Sequence, residues 1–189
     1  MKEYSIDEKL LLGGVEMENN MAMEYPMFCY QCEQTAGGKG CTKLGVCGKT
    51  PEIAALQDLL IYQIKGISCY ANKLVEKGEN VDKNIVSFIE NSLFTTLTNV
   101  NFDADVHVQM LKESQKIKEK LRKSVGKIGN DTEHATYNLS DTKSEMLRDA
   151  KKAGIMYDQN LDPDIRSLRQ TIFYGLKGIS AYMDIKQEN

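Results

Sequence analysis

Residues 50–74 return at 162–186 without gaps, 112 positions later, and this duplication restricts the chain to folds that accommodate one amphipathic helix twice. Nine positions are identical: Pro51/Pro163, Ile53/Ile165, Leu56/Leu168, Tyr62/Tyr174, Lys65/Lys177, Gly66/Gly178, Ile67/Ile179, Ser68/Ser180 and Tyr70/Tyr182. Each copy opens with a capping side chain, a proline at the first helical position and an acid in the first turn: Thr50-Pro51-Glu52 and Asp162-Pro163-Asp164. Apolar residues then recur at Ile53, Leu56, Leu60, Ile64, Ile67, Ala71 and Leu74, one face of a helix that ends near Gly78. The second copy keeps that register with Ile165, Leu168, Ile172, Leu176, Ile179 and Met183.

Between the copies the pattern stays helical. A second helix is expected from Asp82, with Ile85, Ile89, Leu93 and Leu97 on one face, broken at Asn99 to Asn101. A third is expected from Asp103, carrying Val106, Met110, Ile117 and Leu121 towards Gly126 and Gly129. Ser140 or Asp141 is placed to cap a shorter, highly charged helix that ends at Gly154. No stretch alternates as a strand would, and the three prolines stand outside helix interiors.

The expected fold is therefore all-α. A cysteine-rich loop (27–49) follows a leader of uncertain order (1–26), which contains Met17, Met21 and Met23, so the true start could fall later than Met1. A complete three-helix bundle occupies 50–128, and a second, incomplete repeat starts over 138–189. The first copy has two further helices to cover its stripe, whereas the second stops after its opening helix. That difference suggests a fragment or truncated product, with self-association through the uncovered face as the less favoured alternative.

Charge and hydropathy narrow the class. Net charge is −3, no basic stripe appears, and nucleic acid is not expected as a partner. Residues 1–26 are acidic where a secretory signal would be basic, and no apolar run approaches the ~20 residues of a membrane span. A soluble cytoplasmic protein is expected, with no membrane partner. Asn130-Asp131-Thr132 has the form of a glycosylation site, which such a protein would not use.

Four of the five cysteines fall within 19 residues as Cys29-x2-Cys32-x8-Cys41-x5-Cys47. A disulfide framework would spread its cysteines to close large loops, so this clustering points to metal. Four thiolates from one short segment suit an iron–sulfur cluster, and the intervening glycines let backbone N–H groups approach the sulfurs. The first helix starts just after Cys47, offering its positive end to a negatively charged cluster. Structural zinc also takes four cysteines, usually as two short C-x2-4-C pairs, of which only Cys29/Cys32 is present here. Iron–sulfur leads on spacing, zinc and a disulfide pair remain open, and spacing does not choose between [4Fe–4S] and [2Fe–2S].

The run MFCYQCEQTAGGKGCTKLGVCGKTPEIAALQDLLIYQIKGIS resembles the N-terminus of the hybrid-cluster (prismane) proteins, the hydroxylamine reductases. SLFTTLTNVNFDAD (92–105) and DIRSLRQTIFYGLKGISAY (164–182) extend the likeness over about 27–184. The resemblance implies that Cys29, Cys32, Cys41 and Cys47 hold one cluster near the surface, of the [4Fe–4S] type that goes with this spacing. It also implies a helical first domain built as two similar three-helix bundles. Electrons would come from a redox donor protein or reductase and pass to a hybrid iron–sulfur–oxygen cluster, where hydroxylamine becomes ammonia and water. That hybrid cluster is held by His, Glu and Cys ligands in later domains. It is not expected in this chain, which keeps only Cys69, His107 and His134 beyond the motif. Missing C-terminal domains or a second copy are the other partners considered. The competing reading is a non-redox structural or interaction module with a four-cysteine zinc site.

The remaining candidates have plainer readings. Cys69 aligns with Ala181 and reads as a small packed residue. Gly48-Lys49-Thr50 lacks the glycine and the preceding strand of a phosphate loop. His107 and His134 read as surface or capping residues, Gly66 and Gly178 as close helix contacts, and the lysine-rich run 112–127 as a solvated face.

Overall fold

The computed structural model describes Tyr25 and residues 27–126, 132–157 and 160–187, the side chains of 184–187 apart. The rest of the 1–26 leader, with Asn130 and Asp131, lies outside the described residues. Among the described residues six helices follow one another: α1 (Pro51–Glu76), α2 (Lys83–Thr95), α3 (Ala104–Val125), α4 (Glu133–Thr136), α5 (Lys143–Asp149) and α6 (Pro163–Gln187). Among the described residues the only strand-like pairing is an isolated antiparallel bridge between Cys29 and Cys41. The fold is all-α, as expected.

The helix starts follow the capping chemistry of the sequence. Thr50 accepts from the Ile53 N–H, Asp82 from Asn84, Asp103 from Asp105 and Val106, and Asp162 from Asp164. The break between α2 and α3 contains Asn99 at φ 61°. One start differs from expectation: Thr142, not Ser140 or Asp141, caps α5 in a reciprocal capping box with Glu145. Ser140 is engaged elsewhere, donating to Asp149 at 2.6 Å. The α-helical part ends at Asp149, and a 3-10 turn, Ala150–Lys152, completes it before Gly154.

Helix α1 is the centre of the molecule. It packs most extensively on α3, then on α4, α5 and α2, while α6 lies against α2. One apolar cluster joins Leu56, Leu59 and Leu60 of α1 to Leu93, Leu111, Met146 and Ala150, and it includes Met27 and Cys41 from the cysteine loop. A second joins Ile67, Tyr70 and Leu74 to Ile85, Leu121 and Ala135. Side chains of this size stabilise by about 1.5–3 kcal/mol each when fully buried.

The two copies of the repeat have opposite fates. Leu56 and Ile67 are fully buried, whereas their counterparts Leu168 and Ile179 are 63% and 56% exposed. Ile165, Ile172, Leu176 and Met183 are exposed with them, so the whole α6 stripe lacks cover among the described residues. What α6 turns inward is polar: Lys177 and Ser180 are buried.

Three further expectations are corrected. His107 is no surface residue; it is wholly buried, with Nδ1 2.7 Å from the Asp103 carbonyl oxygen. Lys118 interrupts the solvated face of the lysine-rich run, because His107, Leu111, Ser114, Lys118 and Leu121 share the buried face of α3. Gly66 does make the close contact expected of it, for a Cβ there would stand 2.3 Å from the His134 carbonyl oxygen. Gly178 does not: a Cβ at that position meets nothing within 4 Å.

Candidate functional site

All four motif cysteines lie in the loop of residues 27–49 that leads into α1, and all are free thiols, so no disulfide forms among them. The backbone bridge sets two of them side by side. The Cys29 N–H donates to Cys41 O at 3.1 Å, and the Cys41 N–H donates to Cys29 O at 2.8 Å. The turn between them is fastened by Thr35, whose hydroxyl donates to Cys29 O at 3.1 Å and whose N–H donates to Cys32 O at 3.2 Å. Cys29, Cys32 and Cys47 are half-buried and Cys41 is buried.

The Cys41 sulfur sits in a cradle of donors. The Ala36 N–H points at it from 3.4 Å, and the Thr35 hydroxyl lies 3.7 Å away. The Ala36 and Val46 N–H groups together hold the Cys41 thiol below its ordinary range, with smaller help from Thr35 and Lys49, against the opposing effect of burial. A sulfur with these neighbours is prepared to be a thiolate, the form that binds metal. Gly45 belongs to the same construction: a Cβ there would approach Cys47 Sγ to 3.1 Å and Lys49 Cβ to 3.0 Å. Among the described residues, no three His, Cys, Asp or Glu side chains gather as the ligands of a single metal ion would.

The loop is bolted to the helices through Lys49. Its ammonium is buried and donates to Gln57 Oε1 at 2.6 Å, while Gln57 Nε2 donates to Asn101 O at 3.1 Å. Lys49 is thus tied inward and is not free to cradle a phosphate. Beyond it lies a group of buried charges. Asp58 accepts from the Tyr25 hydroxyl at 2.6 Å, and burial pushes its carboxyl up to about 6 although Tyr25, Lys177, Lys49 and Lys65 pull it down. A small cavity of about 20 Å³ lies among Phe28, Cys29, Lys49, Gln57, Asp58 and Lys177. A larger one, about 460 Å³, lies elsewhere, between α1 and α6, and no cysteine lines it.

The sequence reading overlooked Asp58, Tyr174 and Lys177 as neighbours of the cysteine loop. Tyr174 packs edge-on against Tyr30, with ring centroids 5.8 Å apart. The available signal was the repeat, which marks Tyr174 and Lys177 as retained from Tyr62 and Lys65 without saying what they approach. Cys69 and the histidines stand apart. Cys69 Sγ is 3.5 Å from Thr132 Oγ1, and His134 stacks on Tyr62 with ring centroids 4.3 Å apart.

The fold and this loop define a class: an all-helical domain with four cysteines in the loop that leads into its central helix. The chain belongs to the Prismane/CO dehydrogenase family, which it matches over residues 27–188. Its relatives include the hydroxylamine reductase of Syntrophobacter fumaroxidans, 45% identical over 162 residues, covering 84% of this chain and 30% of that protein. The hydroxylamine reductase of Desulfovibrio desulfuricans is 44% identical over 160 residues, covering 85% and 29%. That of Clostridium tetani is 39% identical over 185 residues, covering 84% and 32%. The chain therefore spans about a third of the length of these oxidoreductases. No helix among the described residues is long and apolar enough to cross a membrane.

Proposed function

We propose that Cys29, Cys32, Cys41 and Cys47 hold a single [4Fe–4S] cluster and that the chain is a one-electron transfer domain. The observation that carries this reading is the buried Cys41 sulfur, aimed at by the Ala36 N–H and stabilised as a thiolate by the Ala36 and Val46 amides. Donors of this kind accompany thiolates that carry net negative charge and tune the reduction potential of what they bind. When bound, the cluster supplies reversible uptake of one electron. The chain's own residues supply the rest: the Cys29–Cys41 bridge fixes two ligands relative to each other, Thr35 fixes the turn, and Lys49 anchors the loop's exit.

A structural zinc site is usually built from two short C-x2-4-C pairs, and here only Cys29 and Cys32 form one. The spacing therefore favours the iron–sulfur centre. In the longer relatives, named hydroxylamine reductases, the domain would relay electrons from a cytoplasmic donor protein or reductase to the site of hydroxylamine reduction. Beyond the four motif cysteines these 189 residues hold only Cys69, too few for a second cluster, and on this reading the hydroxylamine chemistry lies in the part of the longer relatives that this sequence does not span.

Anaerobically reconstituted chain, reduced with dithionite, should show the electron paramagnetic resonance signal of a reduced cluster. The signal should be lost or severely changed in Cys29→Ser and Cys41→Ser. A chain that takes up no iron overturns the reading. Hydroxylamine with a reduced viologen dye should give no enzyme-scale turnover, and turnover at that level would contradict the assignment of the reaction to longer relatives.

A further inference from the structure

We propose that Tyr174 and Lys177, three residues apart on α6, are donors to the Cys29 side of the cysteine loop and raise the reduction potential of the cluster held there. The inference rests on the iron–sulfur reading of the loop.

Two unanswered polar groups point to it. The Tyr174 hydroxyl is buried and closes no hydrogen bond of good geometry among the described residues, although the Tyr30 phenol stands near it. A buried hydroxyl left in that state is costly and calls for an acceptor. Its ring lies against Tyr30, the residue next to Cys29, and it is close enough for Cys29 and Asp58 to act on it electrostatically. Lys177 is 3% exposed, and its one hydrogen bond among the described residues is a long one, 3.4 Å, to the Thr96 carbonyl oxygen. No carboxylate lies within ion-pair distance of it among the described residues. It lines the same small cavity as Cys29, Phe28 and Lys49.

A buried ammonium requires a counter-charge. Asp58 acts on Lys177, but it is shared with Lys49 and Lys65, and burial itself disfavours its charged form. Lys177 thus brings buried N–H donors, only one of them engaged among the described residues and that at 3.4 Å, to a cavity it shares with Cys29. An anionic thiolate-bound group on Cys29 would answer the spare ammonium protons and the Tyr174 hydroxyl together. Reduction adds one negative charge, so both groups favour the reduced state and raise the potential.

The repeat sharpens this assignment. The equivalent pair in the first copy is occupied otherwise: Tyr62 stacks on His134, and the Lys65 ammonium lies 4.7 Å from the centroid of the Phe173 ring. Only the second copy presents the tyrosine and the lysine to the cysteines.

The test is potentiometry of the reconstituted full chain, followed by electron paramagnetic resonance, on the parent, Lys177→Met, Lys177→Arg and Tyr174→Phe, with iron and sulfide measured on each. Lys177→Met and Tyr174→Phe should each shift the oxidised-to-reduced ratio at fixed potential by up to ~10-fold towards oxidised, ~59 mV for one electron. Lys177→Arg should stay near the parent. If Lys177→Met fails to hold its cluster, Tyr174→Phe and Lys177→Arg decide the matter. Full clusters at the parent potential in Lys177→Met and Tyr174→Phe overturn the inference and leave the iron–sulfur reading standing. A parent chain without iron and sulfide overturns both.

Discussion

The Tyr25 hydroxyl donates to the Asp58 carboxylate at 2.6 Å, joining the segment before the cysteine loop to the second turn of α1. Burial and this carboxylate push the Tyr25 phenol well above its usual range, so it acts as a donor at any ordinary pH. The bond holds the entry to the loop, as the Lys49–Gln57 bond holds its exit.

Asp58 gives a pH signature with a definite sign. Its carboxyl is raised from 3.8 to about 6 on folding, so charging it destabilises the folded state. The penalty is absent below about pH 4, grows through the window from 4 to 6, and is complete above it. Asp58→Asn keeps an acceptor for Tyr25 and removes the penalty. Urea unfolding should find the variant more stable by up to about 3 kcal/mol at pH 7.5, with a gain about 1–2 kcal/mol smaller at pH 5. An equal effect at both pH values would contradict the assignment.

Gly66 and Gly178 are identical in the repeat and opposite in consequence. Gly66→Ala drives a methyl into the His134 carbonyl and should destabilise by about 2 kcal/mol or more. Gly178→Ala meets only open space and should be neutral or stabilising by up to about 1 kcal/mol through helix propensity. Thermal unfolding of the two variants checks the contrast, and equal losses would refute it.

The α6 stripe predicts association. Six exposed apolar residues in one line, from Ile165 to Met183, form the kind of patch that binds a partner or a second copy. Sedimentation should show concentration-dependent self-association that Leu168→Asp with Ile172→Asp abolishes while helicity is kept. A chain that stays monomeric at high concentration would argue against self-association through this face.

Much of this architecture was legible in the sequence because helix starts depend on local chemistry. Thr50, Asp82, Asp103 and Asp162 cap where their spacing said they would. Ser140 misled because a capping side chain can be claimed by a distant partner, here Asp149. Of the stripe expected on α3, Leu121 is buried in the core, while Val106, Met110 and Ile117 are half-buried at its edge because the centre of the buried face is polar. Reading Val106, Met110, Ile117 and Leu121 as the apolar face overlooked His107, Ser114 and Lys118, which are buried with Leu121. Lys118 is held there by Gln63 and by the Tyr137 carbonyl, 2.5 Å away. Such a placement depends on partners 19 and 55 positions distant, which no local pattern reveals. The cysteine motif was plain from its spacing, whereas Tyr174 and Lys177 come to it only through folding.

The central claim is tested most directly by metal and sulfide content. Chain purified without oxygen and assayed for iron, acid-labile sulfide and zinc should contain about four irons and about four sulfides, with little zinc. A colourless protein with about one zinc and no sulfide would contradict the account.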